Sequence, residues 1–96
     1  MDKDGHHAAV QRALELGRST NPAVLSELCL LLKMPSSEVR RLSASAIGKL
    51  SGFGADAELA VTALAPLALH DAHPQVQQYA LKALNLKTAV RSRQSP

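Results

Sequence analysis

The chain has 96 residues, a net charge of +3 and 46% hydrophobic residues, so it has the length of one domain and enough apolar side chains for one core. No apolar run approaches the roughly 20 residues that cross a membrane as a helix, and the polar start, Met1-Asp2-Lys3, is unlike a secretion signal. We therefore expect no membrane partner. The single cysteine, Cys29, excludes an internal disulfide and fits a reduced, cytoplasmic setting.

Five helices and no strand are predicted, because Ala and Leu dominate the apolar residues and β-branched runs are few. The predicted helices cover about residues 6–16, 22–33, 37–51, 56–70 and 74–86. Cap residues and first-position prolines mark the starts of the last four, namely Asn21 with Pro22, Ser36, Asp56 and Pro74. Pro66 lies inside the fourth helix, where we expect a kink or a restart.

Apolar residues three and four positions apart predict the inward face of each helix. In the first helix this face contains Val10, Ala13 and Leu14. In the fifth it contains Tyr79, with its hydroxyl at the rim. Phe53, in the glycine-flanked turn after the third helix, is expected to close the gap between neighbouring helical units.

The ends of the chain differ from its middle. Residues 1–5 are polar, and residues 88–96 are basic without an apolar period. We expect a flexible N-terminus at 1–5, a single domain at 6–87 and a flexible basic tail at 88–96.

An internal repeat is the strongest signal in the sequence. Residues 35–50 and 72–87 are related copies 37 positions apart, in which Val39 aligns with Val76. A period of this size in a helical pattern is typical of units that bury their apolar faces by stacking on one another.

The first copy also has a recognisable order of parts. Residues 28–50 read LCLLLKMPSSEVRRLSASAIGKL, which is a leucine-rich helix, a Pro/Ser turn, then V-R and A-x-A-I-G-x-L. This stretch resembles a HEAT repeat, and residues 64–86 resemble the same family. The resemblance implies an all-α fold, a short α-α superhelix of about five antiparallel helices made of two HEAT-like units and a preceding half unit.

HEAT units often have an Asp in the turn between helices and an Arg after the Val, and these residues are thought to form a ladder between neighbouring units. The residues at matching positions here are Asp71 and Arg40, while Met34 and Gln77 occupy the other two. The resemblance therefore implies one rung, a contact between Arg40 and Asp71.

No residue pattern predicts catalysis, a cofactor or a metal. His70 and His73 have the spacing of two ligands, but His73 precedes Pro74 in a turn and Asp71 alone would add to the set. Cys29 shares its helical face with leucines, where a thiol ionises poorly. No acid/base pair, nucleophile with a base or phosphate-binding glycine loop is present in the sequence.

Two functions from different classes remain. The resemblance implies a non-catalytic scaffold for protein partners, either within a larger protein or completed by self-association through an end face of Val10, Leu14 and Leu16. The alternative is binding to a nucleic-acid backbone through a basic strip. Its candidate residues are Arg40, Arg41 and Lys49 on the third helix and Lys82 and Lys87 on the fifth. Some HEAT-like families act as lyases or chaperones on tetrapyrrole-bearing proteins, but no residues here carry that activity.

Overall fold

The computed structural model describes residues 3–50 and 56–94, and within them the side chains of 7–50, 56 and 58–85. The described residues form helices and no strand, as the composition predicted. The α-helices are α1 (Lys3–Gly17), α2 (Leu25–Leu31), α3 (Ser37–Leu50), α4 (Ala57–His70) and α5 (Pro74–Gln94), and a short 3-10 helix (Pro22–Val24) precedes α2. None of these helices combines the length and apolarity needed to cross a membrane.

Each of the three predicted cap residues accepts a hydrogen bond from a backbone N–H in the following turn. Asn21 Oδ1 accepts from Ala23 N at 3.0 Å, Ser36 Oγ from Val39 N at 3.3 Å and Asp56 Oδ1 from Leu59 N at 3.2 Å. Local sequence therefore determines where these helices begin.

The start of α1 and the end of α5 differ from the predictions. α1 begins at Lys3, and α5 continues to Gln94 instead of ending near residue 86. The last residues of α5 include neither Pro nor Gly, so no helix-breaking residue stops the helix near residue 86. α4 is one helix with Pro66 inside it, so of the two expected alternatives, a kink or a restart, the restart is absent.

α3 is the centre of the packing, because it contacts α1, α2 and α5, while α4 packs mainly against α5. Sixteen small and aliphatic side chains of the described residues fill the core. They are Ala9, Ala13, Leu16, Leu25, Leu28, Leu32, Val39, Ala44, Ala46, Ile47, Leu50, Ala60, Leu64, Val76, Ala80 and Ala83. Small residues allow close helix packing, and a Cβ placed on Gly17 of α1 would lie 3.6 Å from Ala46 Cβ of α3.

Two predicted faces are wrong. Leu16 is buried and Leu14 is exposed, because α1 turns Ala9, Ala13 and Leu16 toward the core. Leu16 therefore does not belong to an uncovered end face. Tyr79 is 37% exposed and lies outside the core.

Two of the predicted segments lie wholly or partly outside the described residues. Phe53 lies outside the described residues, as do residues 95–96. The rest of the segment expected as a tail, residues 88–94, is helical and belongs to α5.

Candidate binding groove

Two surface furrows flank α3, one on its side toward α5 and one on its side toward α1. Both are lined by Ser45 and Lys49 of α3, so this helix forms the ridge between them. The position follows from the packing, because α3 is the helix that contacts both α1 and α5.

The furrow between α3 and α5 has a volume of about 250 Å³. Its lining residues are Ser45, Gly48, Lys49, Tyr79, Lys82 and Ala83. Small residues from both helices, Gly48 and Ala83 among them, leave room at the bottom, while Lys49 and Lys82 are exposed at the sides. The furrow therefore combines a small, mainly apolar floor with positive charge.

The furrow between α1 and α3 has a volume of about 180 Å³. Its lining residues are Ala13, Leu14, Gly17, Arg18, Leu42, Ser45, Ala46 and Lys49. Here too the floor is small and aliphatic, and the charged residues are cations, Arg18 and Lys49. We refer to the two furrows and their lining residues together as the basic groove.

Arg41 adds a further cation beside the groove. Its guanidinium carbon lies 5.6 Å from the centre of the Tyr79 ring, within the range of a cation–π interaction. Through this contact the ring of Tyr79 lies beside Arg41 of α3, and Tyr79 also contributes to the wall of the furrow.

Among the described residues, no aspartate or glutamate lines either furrow. α5 contains no acidic residue between Pro74 and Gln94, and neither Lys49 nor Lys82 forms an ion pair within residues 3–50 and 56–94. Glu15 of α1 contacts Arg12, whose other partner is Glu27 of α2. The positive charge of the groove is therefore not compensated by its own lining.

Arg40 does not belong to this surface, contrary to the prediction of a basic strip that included it. Its side chain is 15% exposed, and all three guanidinium nitrogens donate hydrogen bonds within the fold. Nη1 donates to the carbonyl oxygens of Met34 and Pro35 at 2.8 and 2.7 Å. Four of the five N–H donors of Arg40 are thus used within the fold, so its role is structural.

The predicted contact between Arg40 and Asp71 is present. Arg40 Nε donates to Asp71 Oδ2 at 2.8 Å, and Nη2 donates to Oδ1 at 3.1 Å, a bidentate geometry. Asp71 Oδ1 also accepts from His73 N at 2.9 Å. Burial alone would raise the pKa of Asp71, but the hydrogen bonds from Arg40 and from the His73 backbone outweigh it and hold the pKa below its usual value.

The remaining members of the predicted basic strip fall into two groups. Arg41, Lys49 and Lys82 lie in or beside the groove. Lys87 lies on α5, and its side chain is outside the described part of the chain.

Sequence reasoning missed Arg18 and the role of Tyr79. For Tyr79 the repeat contained a signal, because Tyr79 follows Leu42 by 37 positions and Lys82 follows Ser45 by the same interval, and all four line the groove. No such signal exists for Arg18, which lies outside the two related copies.

The histidine pair does not form a metal centre in the described residues, where no group of three or more potential ligands comes together. His73 Nδ1 accepts a hydrogen bond from Gln75 N at 3.3 Å, so this nitrogen binds a backbone N–H in the first turn of α5. Cys29 is half-buried and packs against the apolar core.

Comparisons with known protein families, with curated proteins and with solved structures give no significant match to this chain. The described residues are helical, and because one fold hosts many functions, the groove is the part of the structure that bears on function.

Proposed function

We propose that this chain is a non-catalytic, HEAT-like helical repeat module that acts as a scaffold for a protein partner, and that the basic groove is its contact surface. In this proposal α2 with α3 and α4 with α5 are two units, and α1 is the second helix of a preceding half unit. The helix order and the packing of α3 between α1 and α5 support this division. Half-buried Cys29 is compatible with a cytoplasmic location.

One observation carries the proposal: the groove exposes small apolar surface and cations together. Two adjacent furrows of about 250 and 180 Å³, with floors of small residues, distinguish this surface from a flat, solvated helix face. Concave surfaces of this kind are the usual sites of recognition in stacked helical repeats. The exposed Leu14 and Tyr79 at the two sides of the groove would gain burial on binding.

Site-specific crosslinking tests the proposal. A photo-crosslinking amino acid in place of Ser45 would lie in both furrows, whereas the same amino acid in place of Thr62, exposed on α4, would lie elsewhere. We expect a protein crosslinked in extracts of the source cells from position 45 and not from position 62. The crosslinked protein, once purified, should bind the unmodified chain and bind the Tyr79→Ala variant more weakly. If no protein crosslinks from position 45, or if both positions capture the same proteins, the scaffold proposal fails.

Nucleic-acid backbone binding is the second candidate, and the grouping of Arg18, Arg41, Lys49 and Lys82 around the groove favours it. With about three phosphate contacts, affinity for a short duplex should fall about 40-fold between roughly 50 and 200 mM salt, since binding releases counterions. Binding to duplex and single-stranded DNA at these two salt concentrations tests this candidate. Absence of salt-sensitive binding at the lower concentration removes it.

A further inference from the structure

The groove has a chemical character that restricts the kind of partner. This character comes from two features that occur side by side, namely an apolar floor in each furrow and a cation at each side of α3. A nucleic-acid backbone would use the cations and leave the floor empty. A purely apolar segment would use the floor and gain nothing from Lys49 and Lys82.

Resting on the proposed function, we infer that the basic groove binds an acidic segment of a partner protein in which aliphatic or aromatic side chains alternate with carboxylates. An apolar side chain of the partner occupies the furrow between α3 and α5, over Gly48 and Ala83. A neighbouring carboxylate pairs with Lys49 or Lys82.

Charge complementarity supports this occupant. In the described part of the chain, the charged residues that line the furrows are Arg18, Lys49 and Lys82, and none of the lining residues is a carboxylate. α5, one wall of the larger furrow, has no acidic residue along its length. Opposite potentials steer encounter and suppress wrong partners, so an acidic segment associates faster and an equally apolar basic segment is rejected.

Tyr79 weighs against nucleic acid as the occupant. Single-strand binding without sequence preference uses several aromatic faces on which bases stack. Of the described residues that line the groove, Tyr79 alone is aromatic, and the guanidinium carbon of Arg41 lies 5.6 Å from the centre of its ring. Beside an apolar floor, the ring instead suits contact with an aliphatic or aromatic side chain of a peptide.

Tyr79 also provides the measurement. The sequence contains one tyrosine and no tryptophan, so the intrinsic fluorescence of the chain comes from the wall of the groove. A peptide without Tyr or Trp that enters the furrow should change this fluorescence directly. Binding elsewhere on the surface should leave it nearly unchanged.

The experiment uses a displayed library of random peptides selected against the whole chain. Selected peptides are then synthesised without Tyr or Trp, and their affinities are measured by tyrosine fluorescence. We expect Asp and Glu together with Leu, Ile, Val or Phe to be enriched. Lys82→Glu should weaken these peptides about tenfold or more, since it removes one attraction and adds a repulsion.

Two controls make the result specific. Lys33→Glu reverses the charge of another exposed lysine, in the turn after α2, and should leave the affinity unchanged within about twofold. A peptide with one Glu replaced by Lys should recover affinity for Lys82→Glu and lose it for the wild-type chain. Far-UV circular dichroism checks that each variant remains helical.

The other outcomes separate this inference from the proposed function. Selected peptides that change the tyrosine fluorescence but lack acidic residues, or tolerate Lys82→Glu, would overturn the acidic partner while leaving a protein scaffold. No selected peptide, together with salt-sensitive duplex binding that Lys82→Glu abolishes, would overturn the inference and the scaffold in favour of nucleic acid. If neither peptides nor DNA bind, the inference is wrong, and the crosslinking at position 45 decides the scaffold separately.

Discussion

The guanidinium of Arg40 on α3 holds the carboxylate of Asp71, the residue that follows α4, through two hydrogen bonds of 2.8 and 3.1 Å. The two residues are 31 positions apart, and their side chains are 15% and 6% exposed. Because Arg40 also binds the carbonyls of Met34 and Pro35, one side chain joins the turn before α3 to the turn before α5. This network fixes α3 relative to α5, and therefore the furrow between them.

Removal of Arg40 should destabilise the fold substantially. Arg40→Ala leaves the largely buried Asp71 without its cation, and we expect a loss of about 3 kcal/mol in the free energy of unfolding, measured by urea denaturation. Arg12→Ala is the control, since Arg12 pairs with Glu27 at 2.5 Å on the exposed surface. Its effect should be much smaller. Equal losses in the two variants would show that Arg40 contributes no more than a surface ion pair.

The same pair should make stability depend on acid pH. The pKa of Asp71 is lower in the folded state than its ordinary value of 3.8, because the hydrogen bonds from Arg40 and His73 outweigh the effect of burial. A carboxyl group whose pKa is lowered by folding contributes stability at pH values above its unfolded-state pKa. This contribution is lost as the pH falls through the folded-state pKa. The stability difference between the wild-type chain and Asp71→Asn should therefore be full at neutral pH and shrink below about pH 4.

The contribution of Glu27 to the pH dependence of stability has to be removed from that experiment. The hydrogen bond from Arg12 lowers the pKa of Glu27, although its partial burial opposes the shift, so Glu27 also contributes to acid destabilisation. Both chains should carry Glu27→Gln, and the unfolding curves should be compared from neutral pH to about pH 2.5. A difference that stays constant over this range would contradict the assignment to Asp71.

Ser43 is a position where a polar group weakens the core. It is fully buried in α3, and its hydroxyl has no hydrogen-bond partner among the described residues. Ser43→Ala should raise the free energy of unfolding by about 1 kcal/mol, because it removes an unsatisfied hydroxyl. Ser45→Ala, in the same helix but partly exposed, should gain only about 0.5 kcal/mol from helix propensity. Thermal and urea unfolding measure both, and a destabilised Ser43→Ala chain would refute this account.

Two leucines of α2 provide a test of the core. Leu28 is completely buried, whereas Leu30, two residues later, is 65% exposed. Leu28→Ala should lower the free energy of unfolding by about 3 kcal/mol through lost burial and a cavity. Leu30→Ala should change it by less than about 0.5 kcal/mol. Similar effects from the two substitutions would mean that α2 packs with a different face.

Tyr79 tests the correction of its predicted core position. Tyr79→Ala should cost about 1 kcal/mol, mainly the lost contact with Arg41, and not the 3–5 kcal/mol or so of a deleted core aromatic. Far-UV circular dichroism during urea denaturation measures the loss, because this variant has no tyrosine fluorescence. A loss near the larger range would show that the ring belongs to the core after all.

Individual residues show which features of the structure were predictable from the sequence. The caps Asn21, Ser36 and Asp56 were predictable because each bonds to an N–H two or three residues away. The contact between Arg40 and Asp71 was predictable only through the resemblance to a HEAT repeat, since nothing local connects positions so distant. The end of α5 was missed because its last residues have helix propensity but no apolar period.

By itself, then, the sequence determined the helical class and the capped helix starts at Asn21, Ser36 and Asp56, because these depend on backbone propensity, caps and turn residues that act over a few positions. Only the tertiary structure decided which face of each helix meets its neighbour. Ala9 with Leu16 and Val10 with Leu14 are both apolar faces of α1, and packing against α3 buries the first and leaves Leu14 exposed. The tertiary structure likewise places Arg40 in an internal hydrogen-bond network and brings Lys49 and Lys82 to one groove. Whether a charged side chain binds within the fold or is available to a partner depends on the donors and acceptors that the packed helices place beside it.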